Sequence, residues 1–333
     1  MKQINMLPVR DSLKNILICD RFSLEAEIQL KAHKNFQVST FSDEKLPTAN
    51  ALIIRSKFKV TKELLDRALA LEVIVTCTSG YDHIDLEETK KRGLYVMYTP
   101  DANVNSTAEL TWALILASTR KITQTNKEIK AGNWKNEALF TQELANKTLG
   151  VVGLGRIGSR VARIAKAFDM KVVVFDPYQN LEVFNSLGLA RSSYEEVLKQ
   201  SDILTFHVPL TFETENMFGR SQVEYVSPDV IIINASRGGV VNEDDLAEAL
   251  NNGKVKFAAL DVFKKEPLTR EAKLLKCTNV LLTPHIGAYT EEAFLKASLE
   301  AADRLTDFFI NQSTLNTLPL QNDWGSLSFL ERN

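Results

Sequence analysis

Residues Thr148 to Asp176 read TLGVVGLGRIGSRVARIAKAFDMKVVVFD. The stretch opens on a short apolar run, Leu149 to Val152, of the kind that fills a buried parallel strand. Gly153, Gly155 and Gly158 follow at G-x-G-x-x-G spacing, and Ser159 to Ala167 then carries apolar residues at helical intervals. A second β-branched strand, Lys171 to Phe175, ends on Asp176. Each part has a physical task in holding a dinucleotide. The first glycine allows the tight turn, the second lets the backbone approach a pyrophosphate, and the third lets helix pack on strand. The pyrophosphate sits on free N–H groups at a helix N-terminus, where the helix dipole favours an anion. Asp176 is placed to accept from both hydroxyls of the adenosine ribose. Its carboxylate would repel a 2′-phosphate, and no arginine follows it in Pro177-Tyr178-Gln179-Asn180, so the expected cofactor is NAD rather than NADP.

Working outward, a chain of 333 residues is too long for one ordinary core and suits two domains. An apolar fraction of 44% and a charged fraction of 25% are those of a water-soluble globular protein. The net charge of −2 gives no reason to expect nucleic acid or an anionic membrane surface as a partner. The N-terminal MKQINMLPVR lacks a signal-peptide apolar core, and no apolar run approaches membrane-spanning length. The three cysteines, Cys19, Cys77 and Cys277, are scattered, with no C-x-x-C and no His/Cys cluster. That usage predicts a cytoplasmic protein without a metal site.

From Asn15 onward strands alternate with helices. The expected strands are Ile16 to Cys19, Phe36 to Phe41, Ala51 to Ile54, Val73 to Cys77 and Leu94 to Tyr98. Helices are expected from Leu24 to Ala32, from Thr61 to Ala70 and from Asp85 to Arg92. A long apolar helix, Ser106 to Arg120, and a looser stretch through Trp134 and Phe140 lead into the dinucleotide unit. Beyond Asp176 come strands Asp202 to Phe206, Val230 to Ile233, Phe257 to Leu260 and Val280 to Thr283, then a long amphipathic helix from Tyr289 to Ile310. Residues 1 to 13 read as a loose leader, and Leu315, Leu318 and Leu320 make the tail partly apolar. The pattern predicts an α/β protein of two Rossmann-like or flavodoxin-like doubly wound parallel sheets with an interdomain cleft. The two long helices bracket the middle segment, so the first domain, residues 1–102 and 289–333, is expected to be discontinuous and to bind substrate. Residues 103–288 form the expected NAD-binding domain.

In open α/β sheets ligands bind beyond the carboxyl ends of the strands. Arg237, Glu266 and His285 all fall just past such ends. Oxidising an alcohol with NAD requires a base for the hydroxyl proton, and there are four histidines. His33 sits among lysines at a helix end, and His83, after the Ser79-Gly80 loop, reads as part of a solvated turn, with a place facing the cleft as the alternative. His207 precedes Val208-Pro209 at a corner suited to flank the adenosine. His285 lies between a proline and Ile286-Gly287-Ala288, where small residues permit close approach, and it is the candidate base. Glu266 gains its meaning from His285, because a carboxylate beside an imidazole orients the ring and favours its protonated form. Arg237, before Gly238-Gly239, is suited to grip a substrate carboxylate through two parallel hydrogen bonds.

The stretches GLGRIG with Asp176, HVPL, INASRGGVV, LDVFKKEPL and TPHIGAYT together resemble the D-isomer-specific 2-hydroxyacid dehydrogenase family over nearly the whole chain. The resemblance implies the roles just argued for Arg237, Glu266 and His285. It implies that Ser79 and Gly80 hold the substrate carboxylate through backbone N–H groups. It further implies that Thr107, Arg156, Ile157, Ala235, Ser236, Asp261 and Gly287 belong to the NAD site, and that the protein is a homodimer or a tetramer.

Within the family, ALIIRSKFKVTKELLDRA and NSTAEL are most similar to the branch that acts on 3-phosphoglycerate. Arg55 and Lys57 lie where that branch gathers positive charge for a phosphate, and Lys135 would add to it from a neighbouring subunit. Two residues depart from the branch: Thr76, where some members carry arginine, and the bulky Tyr81. Tyr81 within GYDHIDL is reminiscent of members that reduce glyoxylate and hydroxypyruvate. Ending at Asn333, the chain is not expected to carry an added regulatory domain. An NAD-sensing binding protein of corepressor type is the alternative from a different class. The formate-oxidising branch is disfavoured by Glu266, where that branch has an amide.

Overall fold

The computed structural model describes residues 13–134, 140–314 and 317–318. Residues 1–12 of the expected leader, Lys135, Leu315 and Leu320 lie outside them. The chain divides into two compact units, Met1–Asn103 with Tyr289–Asn333, and Val104–Ala288.

The first unit runs β1 (Lys14–Ile18), α1 (Leu24–Lys31), β2 (Phe36–Thr40), β3 (Ala51–Ile54), α2 (Lys62–Arg67), β4 (Val73–Thr76), α3 (Leu86–Lys91) and β5 (Tyr95–Tyr98). The five strands form one sheet in the order β2-β1-β3-β4-β5, and every pair is parallel. The residues of the central strands β3 and β4 are buried on both faces because both faces are covered. Along β1, Ile16 and Ile18 enter one core while Leu17 enters the other; in β3, Ile53 and its neighbours Leu52 and Ile54 divide the same way. A C-terminal helix, Glu291–Phe309, covers the first of these cores with Ala297, Ala301, Leu305 and Phe308. Thr290 caps its start by accepting from Ala293 N–H. The tail then lies against β5, where Leu318 N–H donates to Val96.

The second unit begins with α4 (Val104–Thr119) and α5 (Ile122–Lys130), followed by β6 (Thr148–Val152), α6 (Arg156–Ala167) and β7 (Lys171–Phe175). It continues through α7 (Leu181–Ser186), α8 (Tyr194–Gln200), β8 (Ile203–Phe206), α9 (Arg220–Val223), β9 (Ile231–Asn234), α10 (Glu243–Asn251), β10 (Phe257–Leu260) and β11 (Val280–Leu282). The six-stranded sheet has the order β11-β10-β9-β8-β6-β7 and is parallel throughout. In both sheets the first strand lies between the second and the third, so the winding reverses beside it, where α/β sheets bind ligands. The helix Glu291–Phe309, α11, follows this unit in sequence.

The doubly wound sheets are therefore as the alternation predicts, with local differences. Helix α6 starts at Arg156 rather than Ser159, because Gly155 serves as its N-cap. Helix α2 ends at Arg67, short of Ala70. The stretch after Arg120 is not loose throughout, since Ile122–Lys130 is helical. That helix buries no residue, and both its isoleucines are half exposed, so it has no core-facing stripe to betray it.

Gly158 shows how tightly the turn after β6 is packed: a Cβ there would fall on the carbonyl oxygen of Gly153. Gly158→Ala should destabilise the protein by about 2 kcal/mol or more through backbone displacement. The measure is the urea midpoint of unfolding, and an unchanged midpoint would show that the turn opens at no cost.

Candidate active site

The residues expected to bind the cofactor begin with the glycine loop. Gly153 has φ +95°, in the left-handed region, and a Cβ there would lie 2.6 Å from His207 O. Gly158 is closed off by Gly153 itself. Gly155, between them, is the N-cap of the twelve-residue α6; no side chain caps that end, and a Cβ there would meet nothing within 4 Å. Packing thus forbids side chains on both sides of the loop and leaves space at its centre, in front of the first amides of α6 at exposed Arg156 and half-buried Ile157. This cradle fits a pyrophosphate.

The Asp176 carboxylate accepts from Leu154 N–H at 2.7 Å through Oδ2, and from Tyr178 and Gln179 N–H at 2.9 Å through Oδ1. Gln179 Nε2 donates back to Leu154 O at 2.8 Å. The middle of the glycine loop is therefore held by both side chains, and Asp176 positions the loop. Gln179 had no sequence signal, since a glutamine after Asp-Pro-Tyr reads as a surface turn.

His207 Nε2 lies 3.0 Å from Thr205 Oγ1, and burial pushes its pKa down to about 3, so the ring is neutral. Val208 is half-buried and Pro209 exposed, the Pro209 carbonyl accepting from Thr214 Oγ1 at 2.6 Å. Thr107 on α4 is buried and donates to Gly287 O at 3.2 Å.

The three ionisable candidates follow β9, β10 and β11, which are adjacent and parallel, so their carboxyl ends share one edge. After β9, buried Asn234 organises the turn. Its Oδ1 accepts from Ser236 N–H and Oγ at 3.0 and 2.7 Å, and its Nδ2 donates to Arg237 O at 3.0 Å. Ala235 is buried, while Arg237 is half-buried and donates from Nη1 to Ser236 O. Gly238 is obligatory, because a Cβ there would fall on the backbone of Phe263.

That contact brings the next loop alongside. Phe263 N–H donates to Glu266 Oε1 at 3.0 Å, and Glu266 Oε2 lies 2.7 Å from His285 Nδ1. With Nδ1 on the carboxylate, Nε2 is the ring nitrogen able to exchange a proton with a ligand. His285 has φ +54°, rare for a residue with a side chain. Asp261 explains how that conformation is held. Its Oδ1 accepts from Thr283 Oγ1 at 2.6 Å and Ile286 N–H at 2.9 Å, its Oδ2 from Gly287 N–H at 2.9 Å, and its backbone O from His285 N–H at 2.8 Å. Asp261 has no exposed surface, so it serves the site from beneath rather than as a wall.

In the first unit, Ser79 and Gly80 follow β4 on a loop pinned by a chain of hydroxyls. Thr76 Oγ1 is 2.6 Å from Thr78 Oγ1, which donates to Gly80 O at 2.6 Å. Thr76 Oγ1 also meets His83 Nε2 at 2.9 Å, and His83 is buried. His83 is thus no part of a solvated turn; its partner Thr76 is remote enough in sequence to hide the pairing. Arg55, at the end of β3, is half-buried with its guanidinium carbon 5.1 Å from the Phe294 ring centre. Its Nη1 is buried without a hydrogen-bond partner. Lys57 is exposed.

Two outcomes follow for this site. Gly155→Ala should leave the unfolding midpoint unchanged but weaken NADH binding at least about tenfold, roughly 1.4 kcal/mol, by filling the cradle; equal affinity by fluorescence titration would displace the pyrophosphate from this loop. His207, neutral when folded, is protonated in the unfolded chain below its ordinary pKa. Stability should therefore fall as pH drops from 7 to 5, by about 1 to 2 kcal/mol from this residue. The urea midpoints of His207→Gln should show a correspondingly shallower pH dependence.

Comparison with known proteins places this geometry. A sequence model of the D-isomer specific 2-hydroxyacid dehydrogenase NAD-binding domain matches residues 112–287. D-3-phosphoglycerate dehydrogenase of Methanocaldococcus jannaschii is 41% identical over 84% of this chain and 53% of its own length. The chain thus spans about half the length of the phosphoglycerate dehydrogenases it matches. Glyoxylate reductase of Thermococcus litoralis is also 41% identical, over 75% of this chain and 77% of its own length. The crystal structure of D-lactate dehydrogenase from Aquifex aeolicus, complexed with NAD and lactic acid, superimposes with a TM-score of 0.80 at 30% identity, covering 92% of this chain and 99% of that one. The chain belongs to the D-isomer specific 2-hydroxyacid dehydrogenase family, whose middle segment is an NAD-binding domain.

Proposed function

We propose that the protein is an NAD-dependent D-2-hydroxyacid dehydrogenase, with 3-phosphoglycerate and 3-phosphohydroxypyruvate as its first substrate pair. The observation that carries the reaction class is the Glu266–His285 pair at 2.7 Å, with Glu266 fixed by the Phe263 amide. Bound NAD(H) supplies or accepts the hydride at the substrate C2. The chain's own part is to grip the carboxylate and to handle one proton. Arg237 offers a bidentate fork for the carboxylate, and the Ser79–Gly80 backbone is the proposed second contact. In reduction, protonated His285 gives the proton on Nε2 to the carbonyl oxygen, while Glu266 stabilises the imidazolium through Nδ1. In oxidation, neutral His285 takes that proton back, so atoms and charge balance in both directions.

The phosphate-bearing substrate is supported by the unpartnered Nη1 of Arg55 and by the similarity to phosphoglycerate dehydrogenases. A second reading, reduction of glyoxylate or hydroxypyruvate, is supported by the equal identity to glyoxylate reductase and by Tyr81, which packs edge-on against Tyr98 with centroids 5.6 Å apart.

The test is a panel of 3-phosphohydroxypyruvate, hydroxypyruvate, glyoxylate and pyruvate with NADH. The first reading expects the highest kcat/KM on the phosphorylated acid. Absence of turnover on all four would move the chain to the NAD-sensing binding proteins. On the preferred substrate, Arg237→Lys should lose about ten- to a thousandfold in kcat/KM, about 1.4 to 4 kcal/mol, because an ammonium keeps the charge but not the fork. NADH affinity should change far less, and an equal loss in both would assign Arg237 to the cofactor or the fold.

A further inference from the structure

Arg55 has a companion that no motif announces. Arg21 follows the end of β1, and β1 and β3 are adjacent parallel strands flanking the reversal of the first sheet. The Arg21 guanidinium carbon lies 5.5 Å from the centre of the Phe294 ring, the ring that also receives Arg55 at 5.1 Å. Arg21 Nη1 further donates to Tyr289 Oη at 3.4 Å. Phe294 and Tyr289 both belong to the start of α11 and its N-terminal approach.

Two guanidiniums gathered on one aromatic ring repel one another, and each has some of its charge exposed to the ring rather than to water. Folded proteins ordinarily neutralise such a pair with a carboxylate. Here neither arginine forms an ion pair within 4 Å among the described residues. Asp20, the nearest acid in sequence, accepts from the backbone N–H of Arg21 at 2.7 Å, and Glu300 pairs with Arg304 at 2.5 Å. The buried Nη1 of Arg55 keeps an unmet donor in the cluster. The neighbouring strand β4 leads into the Ser79–Gly80 loop, the proposed holder of the substrate carboxylate.

We infer that Arg21, Arg55 and Phe294 together form a site for a second anionic group of the substrate, so that the preferred 2-oxo or 2-hydroxy acid carries a phosphate or carboxylate at its far end. Phe294 holds both guanidiniums in place while offering no competing charge, and Tyr289 steadies Arg21. The inference rests on the 2-hydroxyacid reading of the function and adds Arg21 and Phe294 as residues that choose among substrates.

Calorimetric titration of the NAD-loaded protein tests it without requiring turnover. The ligands are 3-phosphoglycerate, with a distal phosphate; D-2-hydroxyglutarate, with a distal carboxylate; and glycolate, with neither. At least one of the first two should bind ten times or more tighter than glycolate, and the tighter one identifies the anion. Arg21→Met, which keeps the apolar stem, should remove most of that preference, with glycolate shifting less than about twofold. Phe294→Leu should weaken the same ligand while the unfolding midpoint of Arg21→Met stays at the wild-type value, which separates binding from folding. No preference in the wild type, or an Arg21→Met loss equal for all three ligands, would overturn the site. A preference that Arg21→Met removes, in a protein with no NADH turnover on any 2-oxo acid, would keep the anion site and refute the dehydrogenase reading instead.

Discussion

The buried carboxyl group of Asp261 is the constraint on which the catalytic edge depends. A carboxyl with no exposed surface is tolerable only when its acceptor positions are filled. Thr283, Ile286 and Gly287 fill them, and the Asp261 carbonyl takes the amide of His285. The loop after β11 is thereby wrapped around one side chain at the end of β10, which is what keeps His285 at φ +54°. Glu266, set by the Phe263 amide, then needs only to meet a ring whose position is already decided. Gly238, pressed on Phe263, ties Arg237 to the same frame. The three groups read as a reaction centre are held through backbone contacts of three neighbouring strands.

The cofactor loop follows the same logic with other residues. Asp176 and Gln179 grip the two polar groups of the Leu154 peptide, while Gly153 and Gly158 close on each other and on His207. These contacts exist within the chain itself, so the cradle's shape is built in before a ligand arrives. Such preorganisation lowers the ordering cost of binding.

How much of this was legible follows from how narrowly physics restricts each position. The glycines were readable because few residues can occupy a left-handed turn or a close backbone contact, and Asp176 because a carboxylate at that strand end meets the loop amides. Glu266 and His285 were readable because two ionisable residues fell at adjacent strand ends. Asn234, Gln179, Arg21 and the Thr76–His83 pair were not, because an asparagine, a glutamine, an exposed arginine and a threonine carry no distinctive spacing. Their roles come from partners placed by the fold. Helix α5 escapes the sequence for the opposite reason: it buries nothing, and only Ile122 and Ile129, one heptad apart, mark its apolar face.

One sequence is equally identical to relatives that bear two different substrate names. The strict spacings, read as serving proton, hydride and cofactor chemistry, lie in the second unit, where backbone packing at Gly153, Gly158 and Gly238 leaves no room for a side chain. The residues suited to choose a substrate, Arg21, Arg55, Tyr81, Tyr289 and Phe294, lie at strand ends and helix entries of the first unit. Of these, Arg21 and Tyr289 are exposed, so exchanging them disturbs neither core. Identity over the whole chain therefore does not choose the acid. The charge of a few rim side chains is the better guide to the substrate, and here that charge is positive and lacks an ion-pair partner on both Arg21 and Arg55 among the described residues.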